Sequence, residues 1–269
     1  MQTEDALRIV TEDLFQQLAS DGAIYAEIRF APLLHLLNSL VPEAVVAIVD
    51  RATEECIRAS GIDARLILCT LRHYNQAQNL ETAQLVERFK GSRVAALDIA
   101  GDEAGFSIAA HVPAFRYAQD HGLDRTAHAG EACGAESVWE PLRAFQPTRI
   151  GHGVRSIEDP SLVEHLKRER IHLEVCPSSN VQTRTTRSYK EHAADRLFRA
   201  GVSLGINTDA RTITNVTLEQ EYARLREHFG WGDSEFQACN RDALRAAFVD
   251  EPTCARLYAQ LETGPATDA

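Results

Sequence analysis

The chain has 269 residues, of which 44% are hydrophobic, and a formal net charge of −11. This size allows a large buried core, and it fits one α/β barrel as well as two small domains. The negative charge argues against a nucleic-acid backbone or an anionic membrane surface as partner, because both bind basic faces, and it favours a small molecule.

The six cysteines are scattered without a Cys-x-x-Cys pair, and no signal-like apolar segment follows Met1. The sequence therefore predicts neither a zinc-thiolate cluster nor a secreted disulfide framework. No apolar run approaches the roughly 18 residues that a membrane-spanning helix needs. We expect a cytoplasmic protein with reduced thiols.

The first part of the chain alternates between helical and strand patterns. Apolar residues from Leu7 to Leu18 recur at helical spacing, and Gly22 is typical of the end of that helix. Pro42 and Gly61 are typical of the start and the end of a second helix. The predicted helices cover residues 3–20, 42–60, 80–89 and 112–121, and the predicted strands cover residues 23–30, 64–71 and 93–99.

Four further strands are predicted, at residues 125–128, 148–151, 171–176 and 202–207. Helical stretches separate them, and one helix is expected to begin near Ala135. Apolar strands that alternate with helices of this length indicate parallel βαβ units. From Thr217 to Glu262 the pattern is all-helical. We expect a single domain over residues 1–264 and a frayed tail over residues 265–269.

The strand count indicates the fold. A closed (β/α) barrel requires eight strands, and seven are counted here. No strand precedes the first helix, so the absent strand is expected to be the first. We therefore predict an α/β fold, a TIM-type (β/α)₈ barrel without its first strand and with extra C-terminal helices.

Residues able to bind a metal or move a proton collect at predicted strand ends, which is where such barrels carry their chemistry. Gly101 follows one strand, His128 and Glu131 follow the next, and His152 and Asp209 follow two later ones. Singly, His128 and Glu131 fit an exposed polar pair, His152 fits a turn histidine, and Asp209 fits a helix N-cap. Together they favour one site.

The residue types suit hydrolysis with a metal. A neutral imidazole such as that of His128 binds Zn²⁺ well, and a nearby carboxyl group such as that of Glu131 can transfer protons. These two groups are the minimum that metal-assisted hydrolysis requires.

Five motifs in this order and spacing resemble those of the adenosine deaminase family of metal-dependent amidohydrolases. The resemblance extends from about Tyr25 to Tyr222. The motifs are Asp98-Ile99-Ala100-Gly101-Asp102-Glu103, His128-Ala129-Gly130-Glu131, Ile150-Gly151-His152-Gly153, Cys176-Pro177-Ser178-Ser179-Asn180 and Asn207-Thr208-Asp209.

The resemblance implies a (β/α)₈ barrel that holds one Zn²⁺ and hydrolyses the 6-amino group of a purine nucleoside. On the family pattern, His128 and Asp209 are metal ligands and Glu131 donates a proton to purine N1. His152 orients or deprotonates the metal-bound water, and Gly101 offers a backbone contact to the purine. The Ser178-Ser179-Asn180 segment is expected to shape the strand end and to take no part in the chemistry.

The sequence departs from the family pattern at two places. The family has a His-x-His pair on its first strand, and none of the ten histidines here lies two positions from another. Many members have a second Asp that contacts purine N7, where this chain has Ala210. Adenine and aminodeoxyfutalosine therefore stay open as substrates beside adenosine and 2′-deoxyadenosine.

The missing His-x-His pair also leaves open a catalytically inactive barrel that serves as a binding or structural subunit. The intact His128, Glu131, His152 and Asp209 speak against that alternative, because an inactive copy has no need of them. We expect a chain that begins at Met1 to bind zinc weakly and to deaminate little, since catalytic zinc normally has three protein ligands. No pattern in the sequence indicates the oligomeric state.

Overall fold

The computed structural model describes residues 1–263, so the predicted tail over residues 265–269 lies outside the described residues. Strands and helices alternate through most of the chain, as the sequence predicted. The strands are β1 Tyr25–Phe30, β2 Asp63–Leu71, β3 Val94–Ala100, β4 Asp124–Ala129, β5 Arg149–His152, β6 His172–Val175 and β7 Leu204–Ile206.

Most of the helices connect these strands, and four of the described helices follow one another after β7. The helices are α1 Glu4–Ser20, α2 Pro42–Ser60, α3 Gln76–Arg88, α4 Val112–Asp120, α5 Glu136–Phe145, α6 Pro160–Glu169, α7 Pro177–Gln182, α8 Ala194–Arg199, α9 Arg211–Thr214, α10 Leu218–Phe229, α11 Asp233–Ala246 and α12 Glu251–Thr263. Short 3₁₀ turns cover Pro32–Leu34, Ala109–His111, Val154–Glu158 and Tyr189–Glu191.

Local signals explain where the first helices begin and end. The α2 helix begins at Pro42 and ends before Gly61, which adopts a φ of +75°, as the sequence predicted. The α3 helix begins at Gln76, four residues earlier than expected, because Asn75 and Gln78 form a capping box. The first turn of α3 is polar, so the apolar periodicity gave no sign of it.

The chain divides into two compact units. The first comprises residues 1–99, 110–124 and 247–263 among those described. In this unit β1 pairs with β2 in parallel, with Tyr25 opposite Asp63 and Phe30 opposite Leu68. Phe15 and Leu18 of α1 pack with Ile62 in an apolar cluster, which buries the inner faces of these elements.

The second unit comprises residues 100–109 and 125–246. Its strands β4, β5, β6 and β7 are neighbours in chain order, and each pairs with the next in parallel. Ile150, Leu173 and Leu204 lie side by side on β5, β6 and β7, and at most 1% of each residue is exposed. This apolar row fixes the register of the three strands, because a slip of one residue would turn the row to the opposite face.

The seven strands that the described residues contain agree with the predicted number, and every strand pair described above is parallel. The prediction of one domain over residues 1–264 stays a prediction. Within residues 1–263, no helix combines the length and the apolar character needed to cross a bilayer. All six cysteines are thiols.

Two glycines with the same backbone angle allow a matched test of packing in the second unit. Gly153 and Gly230 have φ near +66°, but a Cβ on Gly153 would lie 2.6 Å from Leu173 Cδ2, whereas one on Gly230 would meet no heavy atom within 4 Å. We expect Gly230→Ala to lower the free energy of unfolding by about 1 kcal/mol, which is the cost of the left-handed conformation. Gly153→Ala should lower it by about 1–3 kcal/mol more, because the added methyl group overpacks the core.

Urea unfolding of both variants checks this prediction. Equal losses for Gly153→Ala and Gly230→Ala would contradict the packing described at Gly153.

Candidate active site

The carboxyl ends of β4 to β7 meet at one edge of the sheet. Ala129 at the end of β4 lies opposite His152 at the end of β5, and Val175 at the end of β6 lies opposite Ile206 at the end of β7. The segments that leave these strands therefore start side by side, which is how parallel sheets build their sites.

Four of the sequence-predicted site residues converge at this edge. His152 Nε2 lies 3.4 Å from Glu131 Oε2 and 4.0 Å from Asp209 Oδ2. The rings of His128 and His152 are 5.2 Å apart between centroids. The His152 side chain is 3% exposed, while those of Glu131 and Asp209 are 24% and 30% exposed. The imidazole thus lies at the base of the group, and the two carboxylates lie at its solvent side.

The placement of His128 depends on a glycine in the neighbouring strand. Gly151 lies opposite His128, and a Cβ on Gly151 would come within 3.1 Å of the His128 ring. Any larger residue at position 151 would displace the ring, so the Gly-His-Gly motif provides space for His128 as well as supplying His152.

The fifth predicted residue, Gly101, is the first residue after β3 and has a φ of +103°. Its predicted contact to a purine stays a prediction. Two residues later, Glu103 reaches the loop between β4 and α5, where its carboxylate accepts the main-chain N–H groups of Gly130 and Glu131. Glu103 belongs to one of the predicted motifs but had no predicted role, because no local pattern in the sequence reveals a hydrogen bond across 28 residues.

Two of the converging residues have strained backbones. His152 and Asp209 have φ values of +60° and +58°, in the left-handed region that non-glycine residues rarely occupy. Such positions cost about 1–3 kcal/mol each and cluster at functional sites. His152 is the last residue of β5 and Asp209 lies three residues after β7, and the turn of the backbone at each position directs the two side chains to the same place.

A chain of hydrogen bonds beneath the site determines which His152 nitrogen carries a proton. The main-chain N–H of Ala194 donates to His192 Nδ1 over 3.1 Å, so that nitrogen is unprotonated. His192 Nε2–H must then donate to Asn180 Oδ1, which lies 3.1 Å away. The side-chain amide nitrogen Nδ2 of Asn180 then donates to His152 Nδ1 over 3.1 Å. An N–H group of the backbone can only donate, so it sets the direction of the whole chain.

His152 therefore carries its proton on Nε2, the nitrogen that faces Glu131 and Asp209. A histidine that binds a metal through one nitrogen normally donates a hydrogen bond from the other, whereas His152 Nδ1 accepts one. In this state His152 is a hydrogen-bond donor to the site and is unsuited to bind a metal.

The α7 helix brings two further side chains to the site, which the sequence analysis did not anticipate. Ser179 donates a hydrogen bond of 2.6 Å to Asp209 Oδ2, and Asn180 contacts His152 as described. The prediction that Ser178, Ser179 and Asn180 shape the strand end and take no part in the chemistry stays a prediction. The main-chain N–H of Ser178 donates to the buried Glu221 carboxylate over 3.1 Å.

Asp209 is held in its ionised form. Burial opposes ionisation, but the nearby imidazoles of His152 and His128 and the hydrogen bond from Ser179 outweigh it, so the pKa of Asp209 lies below its ordinary value. An ionised carboxylate is the form that binds a metal ion.

One group of three metal-competent side chains occurs in the described part of the chain. Donor atoms of His152, Cys176 and Asp209 all lie within 4.8 Å of one another. Cys176 was not predicted as a site residue, because an isolated cysteine gives no metal-binding pattern. His128 lies outside this group. Since His152 carries its proton on Nε2, the donors that suit Zn²⁺ at this edge are the imidazole of His128, the carboxylate of Asp209 and the thiol of Cys176.

Comparison with known proteins identifies relatives of the whole chain. The family model described as "Adenosine deaminase" matches residues 1–263. An adenine deaminase of Rhizobium etli is 38% identical over 259 residues, which are 96% of this chain and 80% of that protein. An adenosine deaminase of Shewanella loihica is 36% identical over 256 residues, which are 95% of this chain and 77% of that protein.

Solved structures show the same fold. The crystal structure of an adenine deaminase from Arthrobacter aurescens aligns with a TM-score of 0.91 at 25% identity, over 98% of this chain and 80% of that one. An amidohydrolase from Burkholderia ambifaria with bound Zn also aligns with a TM-score of 0.91, at 22% identity, over 98% of this chain and 74% of that one. The predicted fold class, a TIM-type (β/α) barrel, is confirmed.

His192 generates a prediction for the pH dependence of stability. Burial, reinforced by the nearby His152 and Arg196, lowers the pKa of His192 from 6.5 to about 4. Between pH 6.5 and pH 4, His192 is protonated in the unfolded chain but neutral in the folded chain. This histidine therefore lowers the free energy of unfolding as the pH falls from 6.5 to 4. We expect His192 to account for a loss of about 2 kcal/mol between pH 7.5 and pH 5.

Denaturant unfolding of the wild type and of His192→Gln at both pH values measures this contribution. The variant should lose less stability on acidification than the wild type. His165→Gln, at a half-buried histidine of α6, is the control and should keep the wild-type dependence. Parallel behaviour of the wild type and His192→Gln would contradict the buried neutral His192.

Proposed function

Because the chain belongs to the adenosine deaminase family, whose members are hydrolases that act on C–N bonds, we propose that it deaminates adenosine or 2′-deoxyadenosine with the help of one zinc ion. The products are ammonia and inosine or 2′-deoxyinosine. The enzyme names of the relatives argue against the alternative of an inactive binding subunit.

One observation carries the proposal. His152 Nε2 lies between the carboxylates of Glu131 and Asp209, at 3.4 Å and 4.0 Å, with His128 beside it. A proton-transfer group, a hydrogen-bond donor and two metal-binding side chains thus face the same point. Their convergence fits the addition of water to one carbon of a ring while a proton is added to the adjacent nitrogen.

The reaction needs both events together. Attack of water on C6 of the purine removes the aromatic stabilisation of the ring, so a proton must reach N1 as the C6–O bond forms. In its protonated form Glu131 supplies that proton. One proton of the attacking water restores the protonated form of Glu131. The proton of the new C6 hydroxyl group passes to the exocyclic nitrogen, the C6–N bond breaks, and ammonia leaves. The 6-oxopurine remains.

His152 contributes as a donor. With its proton on Nε2, it can orient the attacking water and stabilise negative charge that develops on the water oxygen. Of the two roles that the resemblance implied for His152, the hydrogen-bond chain through Asn180 and His192 favours orientation over deprotonation.

His128 and Asp209 would hold the zinc ion, and the Cys176 sulfur is a further donor, within 4.8 Å of an Asp209 carboxylate oxygen. When bound, zinc lowers the pKa of a water molecule to about 7 and so supplies a nucleophile at neutral pH. Ser179 keeps Asp209 Oδ2 oriented. The Cys176 thiol donates to the Glu174 carbonyl oxygen over 3.4 Å, and it would have to give up that proton to become a ligand.

Adenine is the alternative substrate, because relatives of equal similarity are named adenine deaminase and adenosine deaminase. The family's additional purine contact is missing at Ala210. Gly101 is the proposed backbone contact to the purine.

Substitution at Glu131 and His128 separates their proposed roles. At saturating zinc, we expect Glu131→Gln to bind as much zinc as the wild type and to lower kcat at least ~10²-fold relative to it, because the substitution removes the proton donor. His128→Ala should lose zinc. Metal analysis and steady-state kinetics on both variants provide the measurement, and loss of zinc from Glu131→Gln would show that Glu131 is a ligand instead.

An ammonia-release assay tests the substrate. With adenosine, 2′-deoxyadenosine and adenine at equal concentration, we expect both nucleosides to be deaminated faster than the free base. Faster release from adenine would make this an adenine deaminase. Absence of ammonia release from all three substrates by zinc-loaded protein would refute the proposed function.

A further inference from the structure

We propose that Glu103 is a positioning residue for the loop formed by residues 130–133, here called the acid loop, and that its carboxylate holds Glu131 in place for proton transfer. The proposal rests on the proposed function for the role of Glu131. The geometry of the loop itself does not depend on that function.

The Glu103 carboxylate accepts hydrogen bonds from four consecutive main-chain N–H groups of the acid loop. Gly130 donates to Oε1 over 2.6 Å, and Glu131, Ala132 and Cys133 donate to Oε2 over 3.0, 2.5 and 3.0 Å. Consecutive N–H groups that point to one place form a backbone nest, which is an anion-binding arrangement. In this protein a side chain of the same unit occupies the nest.

The carbonyl side of the acid loop is also bonded. The Gly130 carbonyl oxygen accepts the main-chain N–H of Arg155 over 3.1 Å, and the Ala132 carbonyl oxygen accepts Arg155 Nη1 over 3.2 Å. The loop is thus held between Glu103 on its donor side and Arg155 on its acceptor side. Segments without regular secondary structure are otherwise the first to open, so these bonds account for its order.

Gly130 makes this conformation available. Its φ is +67°, and a Cβ at this position would lie 2.5 Å from Val138 Cγ2. The chain therefore turns sharply at Gly130 and directs its next three N–H groups to the same side. Without Glu103, those groups would lose their common acceptor.

A carboxylate suits this position better than an amide does. Its two oxygens offer about four lone pairs, whereas a glutamine side chain offers one oxygen and directs N–H groups at whatever faces its nitrogen. In Glu103→Gln, the loop N–H groups that now face one of the two carboxylate oxygens would face the NH₂ group of the glutamine, which cannot accept their hydrogen bonds. The Gly130 N–H has Ser137 Oγ as a second acceptor at 3.2 Å. The hydrogen bonds that Glu103→Gln would lose are therefore mainly those of the Glu131, Ala132 and Cys133 N–H groups.

The consequence for catalysis is positional. Glu131 lies second in the acid loop, and its side chain places Oε2 3.4 Å from His152 Nε2. A displacement of about 1 Å can cost a factor of ~10² in rate. Glu103 touches neither the other predicted site side chains nor, in the proposed mechanism, the reacting atoms, so its effect passes through the backbone of Glu131.

The first experiment tests the nest without reference to activity. Amide hydrogen exchange of Gly130, Glu131, Ala132 and Cys133 is followed by nitrogen-15 NMR in the wild type, Glu103→Gln, Glu103→Ala and Glu136→Gln. The Glu136 carboxylate accepts from Arg143 on α5 and accepts no hydrogen bond from the acid loop, so Glu136→Gln is the matched control. We expect faster exchange at the loop amides in both Glu103 variants and wild-type exchange in the control.

The second experiment tests the catalytic consequence on the same four proteins with adenosine. We expect kcat to fall by about 10-fold in Glu103→Gln and by about 10²-fold in Glu103→Ala, with KM and bound zinc little changed, since the loss concerns the transition state. Sodium formate should restore part of the kcat of Glu103→Ala by entering the emptied nest, and sodium chloride at equal ionic strength should not.

The outcomes separate the two proposals. Unchanged exchange at residues 130–133 in folded Glu103→Ala would overturn the positioning role. So would faster exchange with a wild-type kcat. A wild-type protein that releases no ammonia would refute the proposed function, while the exchange experiment would still decide whether Glu103 orders the acid loop.

Discussion

The site depends on the parallel register of β4 to β7. Because each of these strands pairs with the next in the same direction, the segments that follow them begin at one edge of the sheet, and side-chain atoms of His152 and Asp209, 57 positions apart, come within 4.0 Å of each other. The row formed by Ile150, Leu173 and Leu204 fixes this register through burial of apolar surface. The hydrophobic core therefore sets the positions of the polar groups above it.

The side chains that carry the proposed chemistry are oriented by others that do not. Asn180 and His192 decide which nitrogen of His152 carries the proton, and Ser179 orients the Asp209 carboxylate. Glu103 fixes the backbone at Glu131 by accepting its main-chain N–H, and Asn180 fixes the ring of His152 by donating to its Nδ1. In each case a hydrogen bond from a neighbouring residue fixes an orientation that the end of the strand alone would not fix.

The donor set explains how one site can combine a metal ion with a proton-transfer group. Asp209 is kept ionised by the nearby imidazoles of His152 and His128 and by Ser179, while His152 faces the carboxylates with an N–H group. In the proposed mechanism, His128 and Asp209 bind the metal ion and Glu131 transfers the proton. The strained φ values of His152 and Asp209 are the conformational cost of directing both side chains into this small space.

The sequence by itself determined the alternation of strands and helices, the number of strands within residues 1–263, and the residue types at the strand ends. These features are local: period, glycine, proline and the Gly-His-Gly and His-Ala-Gly-Glu motifs are visible in a short window of sequence. The start of α3 was missed because its capping box precedes the apolar pattern. The tertiary structure alone decided the bond from Glu103 to the acid loop, the contacts of Ser179 and Asn180, and the place of Cys176. Each of these joins side chains or backbone groups that are distant in the sequence, and only the pairing of strands brings them together.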